Sequence, residues 1–396
     1  MKELSRVASA VQASTTVAID SKAKQMKADG IDVVGFGAGE PDFNTPDNIN
    51  MEAIRAICDG KTKYTPPAGI IPLRKAICNR LKLDCNLDYD YTQIVIASGA
   101  KHCVYVTFRA LLNPGDEVIV PAPYWVSYSE MIKMAGGVPI LVVAGEDQGF
   151  KATGDQIKAA ITEKTKCVII NNPSNPTGAL YSKQELQEIA DICVENDLYI
   201  ISDEIYYQLI YDNAEFVSIA SLGKDVYDHT IIINGVSKSY AMTGWRIGYV
   251  AASKEIAKVM SNYLSHSTGA PSTISQWASI EALNGPQEGI EAMRQEFEKR
   301  RNYMVKRMNE IPGVSCRMPE GAFYVMMNIS QLLGKTIGGA SINSADDFAM
   351  AFLDQGLVAV VPSTGFGIDN FVRWSYATSM ENIEEGLNRL EKFLNQ

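Results

Sequence analysis

Histidine is scarce in this sequence: His102, His229 and His266 are the only three among 396 residues. Two of them have no acidic residue close by in the chain, and His229 follows Asp228 in a predicted loop. Histidine is the side chain that ordinarily titrates near neutral pH. If the chain is an enzyme, we therefore expect its proton-transfer residue to be of another type.

Paired cysteines and long apolar runs are also missing from the sequence. The seven cysteines are odd in number and form no C-x-x-C pair, so neither a disulfide framework nor a metal site is predicted, and a reducing cytoplasm is expected. No stretch has the length of a membrane span, and residues 1–10 lack the apolar segment of a signal peptide. The net charge of −10 argues against nucleic acid and anionic membranes as partners.

Short apolar runs rich in β-branched residues recur through the middle of the chain. They predict strands buried on both faces at residues 94–97, 118–120, 167–171, 199–202, 230–233 and 247–251. Helical patterns lie between several of them, and one begins at a capping box of Ser182 and Glu185. Strands that alternate with helices predict an α/β fold with a mostly parallel sheet covered by helices.

The chain is longer than a single core usually requires, so we expect two domains. A long charged helical pattern is followed by shorter strand patterns at 322–327, 358–361 and 372–375, and by a last helix that Thr378 and Glu381 would cap. We predict a large domain at residues 48–287 and a connecting helix at 288–309. A smaller α+β domain would be built from both termini, residues 1–47 and 310–396.

The most informative segment runs from Gly235 to Gly248 and reads GVSKSYAMTGWRIG. Lys238 lies among small residues just after the predicted strand at 230–233. Partial burial there would lower the pKa of its amine and make it nucleophilic toward an aldehyde. The planar guanidinium of Arg246, eight residues later, could bind a phosphate dianion.

An acidic residue follows the predicted strand at 199–202. Asp203 would point into the crevice at the carboxyl end of that strand, where a buried carboxylate can keep a pyridine nitrogen protonated. The hydroxyl of Tyr206 could donate to an oxygen on the same ring. Two alternatives are that Asp203 only caps a helix, or that Glu204 is the functional carboxylate.

Other segments have the residue types of a binding site. Ser98-Gly99-Ala100-Lys101 joins a strand to a helix whose first N–H groups could bind an anion. Trp125 could stack on a pyridine ring, although a buried core tryptophan is an equal alternative. Arg373 stands inside an apolar strand, where a buried guanidinium is costly without an anionic partner. That partner is either a substrate carboxylate or a structural acid.

These segments resemble the class I and II pyridoxal-phosphate-dependent aminotransferases of fold type I, and the bacterial aspartate aminotransferase subgroup in particular. Motif matches run from Gly39 to Arg373, and include NPTG at Asn175–Gly178, where the resemblance implies a cis peptide bond before Pro176. The resemblance implies that Lys238 carries pyridoxal 5'-phosphate and is the catalytic base and acid. It also implies cofactor contacts from Gly99, Ala100, Lys101, Trp125, Asn175, Asp203, Tyr206, Ser237, Arg246 and, across a subunit boundary, Tyr64.

The resemblance also implies the substrates and the assembly. Gly39, Trp125, Asn175 and Arg373 would bind the amino acid, with Lys101, Ser14 and Thr16 near a distal carboxylate. We expect amino transfer from an L-amino acid, aspartate first, to 2-oxoglutarate, in a homodimer with shared active sites. At Gly235 many relatives have a phosphate-binding serine, for which Ser237 is the expected substitute.

Several alternatives stay open at this point. The same chemistry could act on alanine or an aromatic amino acid, or in a carbon–sulfur lyase reaction. The run Gly35-Phe-Gly37-Ala-Gly39 suggests a nucleotide-dependent oxidoreductase, but it lacks a third glycine in register and Pro41 interrupts the helix that should follow. A non-catalytic regulator of this fold would need an added DNA-binding domain, for which we expect no room before residue 1.

Overall fold

The structure is a computed structural model that describes residues 2–11 and 15–396, with the backbone alone at 15–18 and 20. Its helices are α1 Arg6–Ser9, α2 Thr15–Ala28, α3 Asp47–Cys58, α4 Ile71–Cys85, α5 Ala100–Leu111, α6 Ser127–Met134, α7 Gly154–Ala159, α8 Lys183–Glu195, α9 Lys224–His229, α10 Lys254–His266, α11 Thr273–Asn284, α12 Glu288–Asn309, α13 Ala345–Gly356 and α14 Met380–Leu394. Its strands are β1 Val34–Gly35, β2 Ile94–Ala97, β3 Glu117–Ala122, β4 Val138–Val143, β5 Thr165–Asn171, β6 Tyr199–Asp203, β7 Thr230–Gly235, β8 Gly248–Ala251, β9 Ser315–Cys316, β10 Tyr324–Asn328, β11 Lys335–Ile337, β12 Ala340–Ile342, β13 Val358–Ala359, β14 Val361–Pro362 and β15 Phe371–Ser375.

A seven-stranded sheet forms the centre of the molecule, in the order β2-β8-β7-β6-β5-β3-β4. Strand β8 is antiparallel to both of its neighbours, and the strands from β7 to β4 pair in parallel. The predicted α/β fold with a mostly parallel sheet is therefore confirmed. Because β5, β6 and β7 run in the same direction, their carboxyl ends meet at one edge, where Asn171 pairs with Asp203 and Asp203 with Ile233.

The strands of this sheet are apolar because both faces are covered. In β2, Val95 and Ala97 belong to the core on one face, whereas Ile94 and Ile96 belong to the core on the other. The inner strands follow the same alternation, which explains their continuous apolar runs. The six predicted strands are all present, with ends that differ by at most two residues.

Strand β4 is absent from the prediction. It lies at the edge of the sheet, pairs only with β3, and leaves Val138, Leu141 and Val143 exposed. Pro139 interrupts the run, and a proline argues against an inner strand but is compatible with an edge. Strand β4 was therefore not predicted, because the sequence does not indicate which strand will lie at the edge of the sheet.

A second core lies beside the large sheet and joins the two ends of the chain. Its four-stranded antiparallel sheet has the order β14-β15-β10-β9, while β1 pairs in parallel with β13. Phe36 and Trp374 pack with ring centroids 4.5 Å apart in this core, and Met304 and Met308 of α12 contribute to it. The division into residues 48–287, 288–309, and 1–47 with 310–396 stays a prediction, since this core also includes Leu209 and Tyr211.

Two local predictions can be compared with the helix ends. Ser182 and Glu185 form the predicted capping box of α8. The predicted box of Thr378 and Glu381 is wrong, because Ser379 caps α14 by accepting from the backbone N–H of Asn382 at 3.2 Å. None of the helices in the described ranges is long and apolar enough to cross a membrane.

Candidate active site

A cavity of about 590 Å³ lies at the carboxyl ends of β5, β6 and β7. It is bounded by the large sheet on one side and by β10, β15 and the loop at 37–40 on the other. Most of the residues singled out in the sequence line it, namely Gly39, Ala100, Lys101, Trp125, Asn175, Asp203, Tyr206, Ser237, Lys238, Arg246 and Arg373. Residues up to 334 positions apart in the chain therefore meet in one space.

Lys238 follows β7 and projects its amine into the cavity. The Nζ atom donates to the carbonyl oxygen of Gly39 at 2.5 Å. Burial lowers the pKa of Lys238 to about 8, although the carboxylate of Glu40 opposes this change. An amine with this pKa is partly neutral near neutral pH, so it can act as a nucleophile and as a proton carrier.

Asp203, the last residue of β6, lies on the floor of the cavity and is 3% exposed. Its Oδ2 accepts from the hydroxyl of Tyr128 at 2.6 Å, and its Oδ1 accepts from the backbone N–H of Ile205 at 3.3 Å. Burial raises the pKa of Asp203 to about 6, while the bond from Tyr128 opposes the rise. A carboxylate in this position is best stabilised by a cationic partner in the cavity.

Glu204, the rival carboxylate, does not line this cavity. Its Oε1 accepts from the hydroxyls of Ser202 at 2.8 Å and Ser218 at 2.7 Å, and burial raises its pKa to about 7. The two neighbouring acids thus point to different sides of the strand end. Residues after Asp203 form a turn and no helix, so the helix-cap alternative does not apply.

Arg373 approaches the cavity from β15, opposite Asp203. Its Nη1 donates to Asn175 Oδ1 at 2.8 Å, and its Nη2 donates to the carbonyl oxygen of Gly37 at 3.1 Å. The guanidinium carbon lies 4.3 Å from the ring centroid of Tyr324 and 5.2 Å from that of Phe366. No acidic side chain pairs with Arg373 among the described residues, which disfavours the structural salt bridge.

The loop after β5 orients Asn175. Its backbone N–H donates to Asn171 Oδ1 at 2.7 Å, and Asn171 Nδ2 in turn donates to the carbonyl oxygen of Asp203 at 2.9 Å. The peptide bond between Asn175 and Pro176 is cis, as the resemblance implied. The loop is therefore tied to the end of β6 and presents the Asn175 amide to Arg373.

A cationic corner forms where helix α5 begins. Arg246 donates from Nη1 to the carbonyl oxygen of Thr243 at 2.7 Å and from Nη2 to that of Ser98 at 3.2 Å. Gly99 has a φ of +87° and touches the Arg246 guanidinium so closely that any Cβ would overlap it. The first N–H groups of α5, at Ala100 and Lys101, have no partner within the helix and face the same corner.

Gly235 has a structural explanation. A Cβ at this position would lie 2.8 Å from the carbonyl oxygen of Ile247 and 3.0 Å from Gly248 Cα. The close approach of β7 and β8 therefore leaves no room for the serine that the resemblance led us to expect at this position. Ser237, the expected substitute, is buried and lines the cavity beside Lys238.

Lys101 and Trp125 lie at the mouth of the cavity. The Nζ atom of Lys101 is 5.0 Å from the indole centroid. Burial and, to a smaller degree, the charge of Arg246 lower the pKa of Lys101. The half-buried indole packs edge-on against Tyr128, with centroids 5.3 Å apart, and lines the cavity. An indole there is suited to contact a flat ligand.

Three of the predicted site residues lie elsewhere or cannot be placed. Tyr64 is fully exposed and does not line this cavity. Ser14 lies outside the described residues, and the side chain of Thr16 is likewise not described. Several residues that shape the site carry no signal in the sequence that would assign them a role, namely Glu40, Tyr128, Asn171, Thr243, Tyr324 and Phe366.

The donors and acceptors of the cavity fit pyridoxal phosphate. Arg246 and the start of α5 are suited to a phosphate, while Asp203, buried without a cationic hydrogen-bond partner, is suited to a protonated ring nitrogen. No group of three or more metal-ligating side chains occurs in the described part of the chain. The site thus has the features of an enzyme that forms a covalent link between a lysine and an aldehyde cofactor.

The fold and this site define a class, and the comparisons agree with it: the chain belongs to the family Aminotransferase class I and II, which matches residues 31–390. The chain is an aminotransferase. It is 51% identical over 381 residues to an aspartate aminotransferase of Bacillus sp. (strain YM-2), with 96% of each chain covered.

Solved structures give the same result. The aspartate aminotransferase of Rhizobium meliloti superposes with a TM-score of 0.97 at 39% identity, covering 100% of this chain and 99% of that one. The aspartate aminotransferase of Thermus thermophilus with maleate has a TM-score of 0.94 at 40% identity, with both chains covered completely. The predicted resemblance is therefore confirmed at the level of family and fold.

Proposed function

We propose that this aminotransferase uses pyridoxal 5'-phosphate to transfer the amino group of L-aspartate to 2-oxoglutarate. The main support is the cavity in which Lys238, Asp203 and Arg373 converge from β7, β6 and β15. Members of this family generally depend on pyridoxal phosphate, and the relatives from Bacillus sp. (strain YM-2) and Thermus thermophilus are named aspartate aminotransferases.

Each residue has a separate task in this proposal. When bound, the cofactor supplies an electron sink for the charge that develops at the substrate Cα. Asp203 keeps the ring nitrogen protonated, and Tyr206 donates to the ring oxygen. Lys238 would hold the cofactor through Nζ, and its amine in the neutral form would take the proton from the substrate Cα and carry it to the cofactor's aldehyde carbon, two bonds away.

The substrate carboxylates would be bound at two places. Arg373 has two aromatic neighbours and a fork suited to bidentate binding of the α-carboxylate, with Asn175 and Gly39 beside it. Lys101, over the Trp125 ring, would attract the distal carboxylate of aspartate or 2-oxoglutarate. Ser14 and Thr16 remain proposed helpers at that end.

The cofactor role of Lys238 can be tested with purified protein and Lys238→Ala. We expect the wild type to show the visible absorption band of a lysine-bound cofactor, and Lys238→Ala to lose both the band and at least about 10⁴-fold in kcat. Lys158→Ala, an exposed lysine on α7, is the control. A protein with no band and unchanged turnover in Lys238→Ala would refute the proposal.

The choice of amino donor needs a separate experiment. Aspartate, alanine, phenylalanine and cystathionine would be compared as donors with 2-oxoglutarate as acceptor. We expect aspartate to lead, and Lys101→Ala to lower kcat/KM for aspartate about fivefold or more, from roughly 1 kcal/mol, with little change for alanine. An equal loss for both donors would favour one of the alternatives.

A homodimer with shared sites is also proposed. Helix α3 exposes Met51, Ile54 and Ile57 on one side, and Tyr64 lies fully exposed shortly after it. Apolar helix faces of this kind are typical of subunit contacts. We expect Ile54→Glu to shift the sedimentation coefficient to that of a monomer and Tyr64→Phe to weaken cofactor binding without affecting assembly.

A cytoplasmic location completes the proposal. All seven cysteines are free in the structure, and burial raises the pKa of Cys103 and Cys167, which makes them unreactive. Such thiols are typical of a reducing compartment. Cell fractionation with an antibody to the protein would test this part.

A further inference from the structure

Two buried tyrosines meet at the back of the cavity. The hydroxyls of Tyr206 and Tyr324 are 3.0 Å apart, and both side chains are at most 3% exposed. Tyr206 belongs to the turn after β6, whereas Tyr324 begins β10 in the second core. This contact therefore connects the sheet that holds Asp203 to the sheet that holds Arg373.

Tyr324 contacts a second group of the site with its ring. The guanidinium carbon of Arg373 lies 4.3 Å from the ring centroid, in cation–π geometry. A Cβ built on Gly39 would be 3.4 Å from the Tyr324 hydroxyl, so the loop that receives the Lys238 amine also packs on this residue. The Tyr324 side chain thus contacts Arg373, the loop at 37–40 and Tyr206.

The direction of the hydroxyl contact follows from the chemistry around it. If Tyr206 donates its only proton to the cofactor ring oxygen, its own oxygen can only accept at the contact with Tyr324. Burial raises the pKa of Tyr324, and the positive charge of Arg373 is the leading influence against that rise. The same charge polarises the Tyr324 O–H bond and makes it the better donor of the two.

We propose that Tyr324 is a positioning residue with two separable roles: its ring orients Arg373, and its hydroxyl donates to Tyr206 and so strengthens the bond from Tyr206 to the cofactor. This inference rests on the proposed function. A chain of two hydrogen bonds polarises cooperatively, so the loss of its outer member weakens the inner one.

Other titratable groups face this pair and would influence the experiment. They are Arg373 from β15, Asp203 from β6, Tyr128 from α6 and Tyr376, which follows β15. None of them would be changed in the variants below. A shift seen in a Tyr324 variant can therefore be attributed to the hydroxyl or to the ring.

The hydroxyl role is tested with Tyr324→Phe, which keeps the ring. We expect the visible band of the holoenzyme to titrate with a midpoint at higher pH. A weaker donor at the ring oxygen would leave the nearby Lys238 nitrogen, through which the cofactor is held, more basic. The shift should have the same direction as in Tyr206→Phe but be smaller. KM for aspartate should change by less than about twofold.

The ring role is tested with Tyr324→Leu, which removes both features. We expect KM for aspartate to rise roughly tenfold beyond that of Tyr324→Phe, since the guanidinium loses its aromatic support. Tyr227→Phe, whose hydroxyl donates to the carbonyl oxygen of Asp88, is a matched control outside the cavity and should change neither readout.

The outcomes separate this inference from the proposed function. An unchanged titration midpoint in Tyr324→Phe, with a normal visible band in the wild type, would overturn the hydroxyl role alone. Equal KM values in Tyr324→Phe and Tyr324→Leu would overturn the ring role, provided that circular dichroism shows both folded. A wild type without a visible band would instead overturn the proposed cofactor.

Discussion

The two arginines at opposite ends of the cavity are held in different ways. Arg373 lies inside a buried strand and is 5% exposed, with aromatic rings on two sides and an amide and a carbonyl oxygen accepting from its fork. Arg246 is exposed, follows a short 3₁₀ turn, and has a φ of +57°. Its fork is held by two backbone carbonyl oxygens.

This difference indicates how each end tolerates change. The end around Arg373, proposed to bind the substrate carboxylate and called the carboxylate end, depends on side chains packed around a desolvated charge, so truncation there leaves partners unsatisfied. The end around Arg246, proposed to bind the cofactor phosphate and called the phosphate end, depends on backbone groups that stay in place when a side chain is lost, including the first N–H groups of α5. We therefore expect the carboxylate end to be the more sensitive to substitution.

The largest effect is expected for Arg373→Leu. Removing a buried partner of a charge costs about 2–5 kcal/mol, so kcat/KM should fall roughly 30- to 4,000-fold for every amino acid. Cofactor content, measured by the visible band, should stay near that of the wild type. For Arg373→Lys, which keeps the positive charge but not the planar guanidinium, kcat/KM should lie between the values of the wild type and Arg373→Leu. An intact kcat/KM in Arg373→Leu would remove this end from the site.

Arg246→Leu should have a smaller effect, and on a different quantity. Losing hydrogen bonds to a charged group costs about 1.5–3 kcal/mol, so the Kd of the cofactor should rise roughly 10- to 150-fold. At saturating cofactor the KM for aspartate should be nearly unchanged. Fluorescence titration of the apoenzyme measures the first quantity and steady-state kinetics the second. A change in KM alone would reverse the proposed assignment of the two ends.

The sequence predicted residues at both ends because each lies beside a strong local signal. Asp203 ends one apolar strand, Lys238 lies three residues after another, and Arg373 lies within a third. In parallel sheets such strand ends meet at one edge, so their proximity followed from the fold class. The family resemblance added the individual roles.

The residues that orient these groups could not be predicted in the same way. Tyr128 donates to an acid 75 positions away, and Tyr324 opens a strand with no polar pattern of its own. Their roles arise from packing between elements, for which no local periodicity exists. The Ser379 cap was missed because Thr378 and Ser379 are adjacent and either hydroxyl could cap the helix. The edge strand β4 was missed because Pro139 interrupts its apolar run.

Gly99→Ala would test the backbone at the phosphate end. A Cβ there would displace the Arg246 guanidinium, in addition to the strain of a positive φ. Gly115→Ala is a matched control with a φ of +90° and no atom within 4 Å of the added Cβ. Both should lose about 1 kcal/mol of stability, but only Gly99→Ala should raise the cofactor Kd, by roughly fivefold. Equal Kd values would mean that the contact with Arg246 is unimportant.

The smallest effect concerns Lys238, on whose amine both arginines act. Burial is the main cause of its lowered pKa of about 8, and Arg246 and then Arg373 lower it further. Removing either positive charge favours the ammonium form, so the pKa should rise and less neutral amine should be present at pH 7. In the apoenzyme, we expect reductive labelling of Lys238 by a small aldehyde without phosphate to slow about two- to fivefold at pH 7. The pH midpoint should move upward in Arg246→Leu and in Arg373→Leu, more in the former. If only Arg373→Leu changed the rate, the two arginines would differ electrostatically as well as in packing, and the phosphate end would not contribute to the reactivity of the lysine.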